Sequence, residues 1–205
     1  MDSSKGVSVV ILAAGFSERM GSEKFALVFD DTHNFLEKII ESYSAFGCEE
    51  IVVVLNPKGM ALKDTLDLKV PDGVKFVENE QPEKERFYSL QIGLKALKKT
   101  EFVFIQHIDN PFVEAGLLNR LYKMREEGCY AVPNYMDKGG HPLLVSEIIV
   151  EAIVNHSDVQ VKLNEFLKTF TKLKVETNSP TILYNINDPE TYRSMFHFTE
   201  NLKNG

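Results

Sequence analysis

The sequence predicts a three-layer α/β/α fold with a mostly parallel, Rossmann-like sheet. Short β-branched runs alternate with segments of helical periodicity over the first 130 residues, an order typical of parallel strands covered by helices on both faces. The length of 205 residues suits one domain, so we expect a single unit over residues 1–205. Hydrophobic residues make up 43% of the chain and charged residues 26%, as in an ordinary globular protein.

The predicted elements follow in order along the chain. Apolar runs predict strands at residues 7–12, 51–55, 74–77, 102–105, 130–133, 143–145, 173–176 and 182–186. Apolar spacing of three and four predicts helices at residues 34–46, 59–68, 86–98, 113–127, 147–155 and 159–169. A last helix should begin at Pro189, because proline is best tolerated at a helix start, and residues 134–140 should form a loop.

Charge and cysteine content exclude several classes of protein. A net charge of −7 argues against nucleic-acid binding, which needs a basic face. Cys48 and Cys129 are far apart and form no CxxC pair, so we expect reduced cysteines in a cytoplasmic protein rather than a disulfide framework or a zinc site. No apolar run approaches the ~20 residues of a membrane span, and the first run reads as a buried strand because a glycine-bearing turn follows it at once.

The loop after the first strand carries the strongest chemical pattern. Residues 12–24 read LAAGFSERMGSEK, in which small residues allow a ligand to approach the backbone and its amide groups. Arg19 and Lys24 add two positive charges, which suits a triphosphate. The spacing of Gly15 and Gly21 fits neither the GxGxxG dinucleotide fingerprint nor the Walker loop.

This segment resembles the signature LAAGxSxRMGxxK of the MobA/MocA-like nucleotidyltransferases, which share the nucleotide-diphospho-sugar transferase fold. The fixed positions are all met, by Leu12, Ala13, Ala14, Gly15, Ser17, Arg19, Met20, Gly21 and Lys24. The resemblance implies that Leu12, Ala13, Ala14 and Gly15 bind a nucleoside triphosphate, with Arg19 and Lys24 acting on its phosphates.

The resemblance extends to a magnesium site. FVFIQHIDNPFV, residues 102–113, resembles the family strand whose closing aspartate binds the catalytic Mg²⁺, here Asp109. Asp109 alone would read as a helix cap, but an acid at the ligand-binding edge beside the first loop favours the metal. YNINDPETY, residues 184–192, resembles the segment that supplies a second ligand, and the sequence leaves open whether Asn187 or Asp188 does so. His107 stands where the family often has a small residue.

Two further segments resemble the walls of the family's substrate site. Residues 140–142 match a Gly-His-Pro element that borders the acceptor, so His141 is either a ligand of the acceptor phosphate or a structural histidine. Ser89 matches the start of a helix that faces the nucleotide, or is only a residue of the first turn. The bulky Arg86 before it departs from the family and predicts an altered pocket.

Together these features predict a Mg²⁺-dependent nucleotidyltransferase that moves a nucleotide from a triphosphate to a small phosphorylated acceptor. Relatives with LAAG are typically cytidylyltransferases, so Ala14 favours CTP over GTP, with molybdopterin as the favoured acceptor. A sugar- or polyol-phosphate acceptor stays open. The neutral Asn187 and the bulky Arg86 leave open a catalytically inactive nucleotide-binding accessory protein. A glycosyltransferase is disfavoured, because HIDNP lacks the Asp-x-Asp metal motif.

Overall fold

The computed structural model describes residues 6–98 and 100–196, which form a mixed eight-stranded sheet and seven α-helices. The strands are β1 Val7–Ala13, β2 Ile51–Leu55, β3 Lys75–Glu78, β4 Phe102–His107, β5 Cys129–Tyr135, β6 Lys138–Gly139, β7 Leu143–Ser146 and β8 Thr171–Glu176. The helices are α1 Phe35–Phe46, α2 Pro57–Lys63, α3 Glu85–Ala96, α4 Ala115–Lys123, α5 Glu147–Val154, α6 Leu163–Phe166 and α7 Pro189–Met195. No helix in the described range is long and apolar enough to cross a membrane.

The sheet has the order β3-β2-β1-β4-β7-β5-β6, and β8 pairs with β5 outside this path. The first four strands are parallel to one another, β7 runs antiparallel to β4, and β5 and β8 pair in parallel. The carboxyl ends of β1 and β4 therefore lie side by side, with Leu12 opposite His107 in the register. This brings the loops that follow these two strands to one edge of the sheet.

Alternate residues of β1 supply both layers of the core. Val9 and Ile11 pack on the side of α1 and α4, whereas Val10 and Leu12 pack on the side of α3 and α5. A strand that is buried on both faces is typical of a parallel sheet between two helical layers. The predicted three-layer α/β/α architecture is confirmed.

The first helix shows how local sequence sets these boundaries. The side chain of Asn34 accepts a hydrogen bond from the Glu37 amide, and the carboxylate of Glu37 accepts one from the amide of Asn34. This capping box satisfies two amide groups at the helix start. Gly47 ends the helix in the left-handed region at φ 95°, a conformation that glycine adopts without steric cost.

The largest errors of prediction lie in the second half of the chain. The predicted strand at residues 182–186 is wrong, because Pro180–Leu183 forms a 3₁₀-helix. The backbone amide of Ile186 donates to the carbonyl of Asp109 at 2.8 Å, rather than to a neighbouring strand. The predicted helix at residues 159–169 is too long, because only the four residues of α6 and the 3₁₀-helix Leu167–Thr169 are helical there.

The predicted loop at residues 134–140 contains a tight hairpin. β6 pairs with Asn134 and Tyr135 of β5, and the two residues at the tip, Met136 and Asp137, have φ of 47° and 60°. Positive φ at both positions is the geometry of a type I′ turn. Asn-Gly is its usual sequence, so Met136-Asp137 gave no turn signal.

Candidate active site

A cavity of about 1190 Å³ opens beside the carboxyl ends of β1 and β4. Its wall includes eight of the residues that the sequence singled out: Leu12, Ala13, Ala14, Gly15, Lys24, Ser89, Asp109 and His141. Arg19, Asn187 and Asp188 are not in its wall. Asn187 forms a hydrogen bond with Lys24, and the charges of Arg19 and Asp188 act on the pKa of Lys24. The structure thus gathers loops from five separate parts of the sequence around one space.

Asn56, which directly follows β2, holds the first loop in shape. Its Nδ2 atom donates to the carbonyl of Gly15 at 3.1 Å, and its Oδ1 atom accepts from the amide of Gly59 at 2.6 Å. A Cβ atom built on Gly15 would meet no atom within 4 Å, so the cavity is open at this point. Sequence reasoning missed Asn56, although a polar residue directly after a buried strand is a signal that could have found it.

Lys24 stands at the centre of a cationic group. Its Nζ atom lies 2.5 Å from Oδ1 of Asn187, and it forms no salt bridge within the described residues. Burial lowers the pKa of the Lys24 ammonium below its ordinary value. The carboxylate of Asp109 opposes this shift, while Arg86 and Arg19 add to it. The positive charges of Lys24, Arg86 and Arg19 therefore exceed the negative charge that Asp109 supplies.

Asp109 follows β4 and is 5% exposed. Its Oδ1 atom is buried and has no hydrogen-bond partner in the described structure. It does not cap the following helix, because α4 begins at Ala115 with Glu114 at the cap position. A buried carboxylate oxygen without a partner is costly and indicates a missing cation or donor.

The two candidates for a second metal ligand differ in their surroundings. Both carboxylate oxygens of Asp188 are engaged by Thr191, one by its amide at 2.8 Å and the other by its hydroxyl at 2.9 Å. These bonds cap α7 and lower the pKa of Asp188. Asn187 accepts a hydrogen bond from Lys24. The hydrogen bond from the Ile186 amide to the Asp109 carbonyl holds the segment that contains Asn187 beside Asp109.

His107 and His141 lie in contact in the cavity wall, with ring centroids 4.1 Å apart and ring planes tilted by 43°. Burial lowers the pKa of both imidazoles, and Arg86 lowers both further. Nη1 of Arg86 lies 3.3 Å from Nδ1 of His107. Because a guanidinium can only donate, Nδ1 accepts and the neutral ring carries its hydrogen on Nε2. That Nε2 atom is buried and has no hydrogen-bond partner within the described residues.

The backbone around His141 is tightly fixed. The amide of His141 donates to the carbonyl of Ile182 at 3.0 Å. A Cβ atom on Gly140 would stand 2.2 Å from that carbonyl oxygen, so no larger residue fits there. The Gly-His-Pro element thus presses against the 3₁₀-helix at Pro180–Leu183 and presents the imidazole to the cavity.

The start of α3 departs from ordinary backbone geometry. Glu85 has φ 67° and ψ −169°, a region that is essentially restricted to glycine. The hydroxyl of Ser89 donates to the Glu85 carbonyl at 3.2 Å and accepts from Nδ2 of Asn79 at 2.9 Å. Ser89 therefore fixes the turn below the cavity as well as lining it.

No group of three or more His, Cys, Asp or Glu side chains in the described residues is arranged to hold a metal ion. Mg²⁺ rarely needs such a group, because one or two protein oxygens and the substrate phosphates complete its shell. The unpartnered oxygen of Asp109 fits this mode of binding, with the amide oxygen of Asn187 nearby.

The chain belongs to the family of the MobA-like NTP transferase domain, whose model matches residues 9–174. It is therefore a nucleotidyltransferase-family protein. No protein of curated function matches its sequence significantly.

Solved structures share the fold at low sequence identity. The homologue of Mycobacterium tuberculosis Rv0371c from Mycobacterium sp. strain JC1 has a TM-score of 0.76 at 19% identity, over 92% of this chain and 94% of that one. Rv0371c of M. tuberculosis in complex with manganese has a TM-score of 0.69 at 18% identity, over 95% and 100% of the two chains. Molybdopterin-guanine dinucleotide biosynthesis protein A of Archaeoglobus fulgidus has a TM-score of 0.65 at 19% identity, over 91% and 95%.

Proposed function

We propose that this chain is a cytoplasmic, Mg²⁺-dependent enzyme that transfers CMP from CTP to a small phosphorylated acceptor and releases pyrophosphate. One observation carries the proposal most directly: Asp109, whose buried Oδ1 has no hydrogen-bond partner, lines the same cavity as Lys24, which forms no salt bridge within the described residues. A metal and a triphosphate would satisfy both groups. We extend the role to the whole chain, residues 1–205, as one domain.

The reaction would be an in-line attack of an acceptor phosphate oxygen on the α-phosphorus of CTP. A P–O bond forms there, the bond to the bridging α–β oxygen breaks, and pyrophosphate departs. A phosphate monoester has its second pKa near ~6, so the attacking oxygen is already ionised and no side chain needs to remove a proton. The described cavity wall offers no nucleophile-and-base pair, which agrees with this mechanism.

The chain's own residues would position the reactants and balance their charge. Lys24 and Arg19 offset the charge that grows on the leaving pyrophosphate, and the open backbone at Gly15 lets the phosphates approach the loop. Asp109 and Asn187 would hold Mg²⁺, which neutralises triphosphate oxygens when it is bound. His107 lines the cavity wall two residues before Asp109, and a turn of its ring would bring its unpartnered Nε2–H to an acceptor phosphate oxygen.

CMP is favoured over GMP because Ala14 gives the first loop its LAAG form, and Ala14 lies in the cavity wall at 4% exposure. Molybdopterin is the first acceptor to test, since the molybdopterin-guanine dinucleotide biosynthesis protein A of Archaeoglobus fulgidus shares this fold. Sugar and polyol phosphates are the alternatives.

The test is pyrophosphate release with Mg²⁺ and each of CTP, GTP, UTP and ATP, against molybdopterin and a panel of sugar and polyol phosphates. We expect release with CTP and one class of acceptor. Nucleotide binding without pyrophosphate release for any acceptor in the panel would instead favour the inactive accessory protein, in which the neutral Asn187 already accepts a hydrogen bond from Lys24.

A further inference from the structure

The part of the cavity beyond His141 has a different character from the triphosphate loop. It continues over the face of β5 and under α6, and six side chains give it an apolar lining: Tyr130, Val132, Leu143, Val161, Leu163 and Leu167. β5 lies two strands from β4 in the sheet, and β8 lies one strand further. At about 4.8 Å per strand, this region extends roughly 10–14 Å from the end of β4.

Three lysines line this distal region. Lys162 precedes α6, Lys168 lies in the following 3₁₀-helix, and Lys172 lies on β8 in register with Tyr130. Lys168 is paired with Glu165 at 2.6 Å. Lys162 and Lys172 form no salt bridge within the part of the chain that the structure describes. The acids in the cavity wall are Asp109, after β4, and Glu83 and Glu85, at the start of α3, whose Phe87 packs against Phe166 of α6.

The hairpin leaves room for one of these cations. Nζ of Lys172 lies 3.4 Å from the point where a Cβ atom on Gly139 would stand. A larger side chain at position 139 would press on the ammonium group. Two unpaired cations in one pocket are notable in a chain with a net charge of −7.

The opposite end of the same space is also built for an anion. Arg86, whose guanidinium contacts Nδ1 of His107, and His107 itself line the cavity with Asp109, where the attacking phosphate would sit. The cavity thus presents two regions that favour negative charge, separated by an apolar stretch.

We propose that the acceptor is doubly anionic: a phosphate at one end, a planar or apolar middle, and a second anionic group bound by Lys162 and Lys172. The inference rests on the proposed function, because it describes the acceptor of that reaction. A polyol phosphate, which has no charge beyond its phosphate, or an acceptor with an uncharged ring at its far end, would leave both lysines without a partner. The inference therefore ranks the candidate acceptors by their distal group.

The experiment compares two probes that differ only in the distal charge: biphenyl-4-yl phosphate and 4′-carboxybiphenyl-4-yl phosphate. Dissociation constants are measured by calorimetry on the full chain at low salt, with and without CTP and Mg²⁺. We expect the carboxylate to tighten binding about fivefold, the scale of two partly exposed ion pairs. High salt should remove most of this difference.

Matched variants assign the effect to the two lysines. In the double variant Lys162→Ala/Lys172→Ala the probes should bind equally. Lys174→Ala is the control, because Lys174 lies on the same strand, is paired with Asp137 at 3.7 Å and is absent from the cavity wall. This variant should keep the fivefold difference. Thermal unfolding of each variant verifies its fold.

Equal affinities in the wild-type protein, or no binding of either probe at millimolar concentrations, would overturn the inference. The outcome is separable from the proposed function. If CTP stabilises the protein but the two probes bind equally, only the doubly anionic acceptor is contradicted. If the probes differ in affinity but CTP has no effect, only the nucleotidyltransferase function is contradicted.

Discussion

The ammonium nitrogen of Lys24 lies 2.5 Å from Oδ1 of Asn187, a residue 163 positions further along the chain. This bond joins the first loop to the segment before α7. A neutral amide at position 187 holds the lysine without neutralising it, so the ammonium keeps its charge for a ligand. Burial lowers the Lys24 pKa, which means that the empty protein carries a cost for this cation.

Lys24→Met tests that cost. Removing a buried cation should raise the unfolding temperature of the empty protein and weaken CTP binding about tenfold or more, because a charge-assisted hydrogen bond is lost. Lys95→Met on the exposed face of α3 is the control and should change neither quantity. An unchanged CTP affinity in Lys24→Met would exclude Lys24 as a phosphate ligand.

Lys24 also predicts a pH dependence. Its pKa in the folded protein lies below the ordinary value of 10.5, so it loses its proton earlier than an unperturbed lysine as the pH rises. CTP affinity should fall as the pH rises through this lowered pKa. Over the same window the folded protein gains stability, because the unfolded chain still binds the proton that the folded state has released. CTP titrations of the wild-type protein and of Lys24→Met, which should lack the alkaline decline, check the affinity, and denaturant unfolding of both proteins over the same pH range checks the stability.

Asp109→Asn should separate catalysis from folding. We expect turnover to fall by about 10²–10³, the usual cost of losing a charge-stabilising group, while the unfolding temperature stays the same or rises. The rise would follow from removing an unpartnered buried charge. Asp72→Asn on the surface is the control. Near-normal turnover at limiting Mg²⁺ would show that Asp109 does not hold the metal.

The histidine pair predicts an acid-sensitive fold. Burial lowers the pKa of His107 and His141, so the unfolded chain takes up protons at pH values where the folded protein does not. The contribution of the two histidines to the free energy of unfolding is therefore fully present above about pH 6.5. Below this pH it falls by about 1.4 kcal/mol per pH unit for each histidine, until the pKa of that histidine in the folded protein is reached. Denaturant unfolding of His107→Gln should show a shallower acid slope than the wild type. Identical slopes would mean that the pair does not control acid stability.

Gly93 and Gly116 form a matched test of helix packing. A Cβ atom on Gly93 would lie 2.5 Å from Cγ1 of Val10 and 2.7 Å from Cγ2 of Val54, whereas one on Gly116 would meet nothing closer than 3.7 Å. Gly93→Ala should destabilise the protein by about 1–2 kcal/mol, because overpacking outweighs the gain in helix propensity. Gly116→Ala should stabilise it by up to about 1 kcal/mol. Denaturant unfolding measures both, and equal effects would contradict the packing of α3 on β1 and β2.

Glu85 offers a test of backbone strain. Glu85→Gly should raise the free energy of unfolding by about 1 kcal/mol, because the observed φ and ψ suit only glycine. Glu83→Gly, in the neighbouring 3₁₀-helix without positive φ, should lower it instead. The same loss in both variants would argue against strain at position 85.

Much of the fold was predictable because its determinants are local. The β-branched runs of β1, β2 and β4 and the Asn34 cap with Gly47 mark their elements without help from the rest of the chain. The apolar run around Ile182 predicted a strand. It failed as one because the carbonyl of Ile182 binds the His141 amide and the amide of Ile186 binds the Asp109 carbonyl, contacts that only the tertiary structure supplies.

The candidate site was predictable only in part. The family resemblance selected the first loop, and the structure brings eight of the selected residues into one cavity wall. The ring contact between His107 and His141 was not predictable, because it depends on the antiparallel pairing of β7 with β4. The support of Gly15 by Asn56 likewise needs the parallel register of β1 and β2. The roles of the site residues stay predictions.

The central claim is that the cavity binds a nucleoside triphosphate through Lys24 and Asp109, and thermal unfolding with Mg²⁺ and each of CTP, GTP, UTP and ATP tests it most directly. A ligand at ~100 times its dissociation constant adds ~2.7 kcal/mol to stability, which gives a readily measured shift. We predict a shift with CTP that is lost in Lys24→Met and reduced in Asp109→Asn. No shift with any of the four triphosphates, or an equal shift in all three proteins, would contradict the claim.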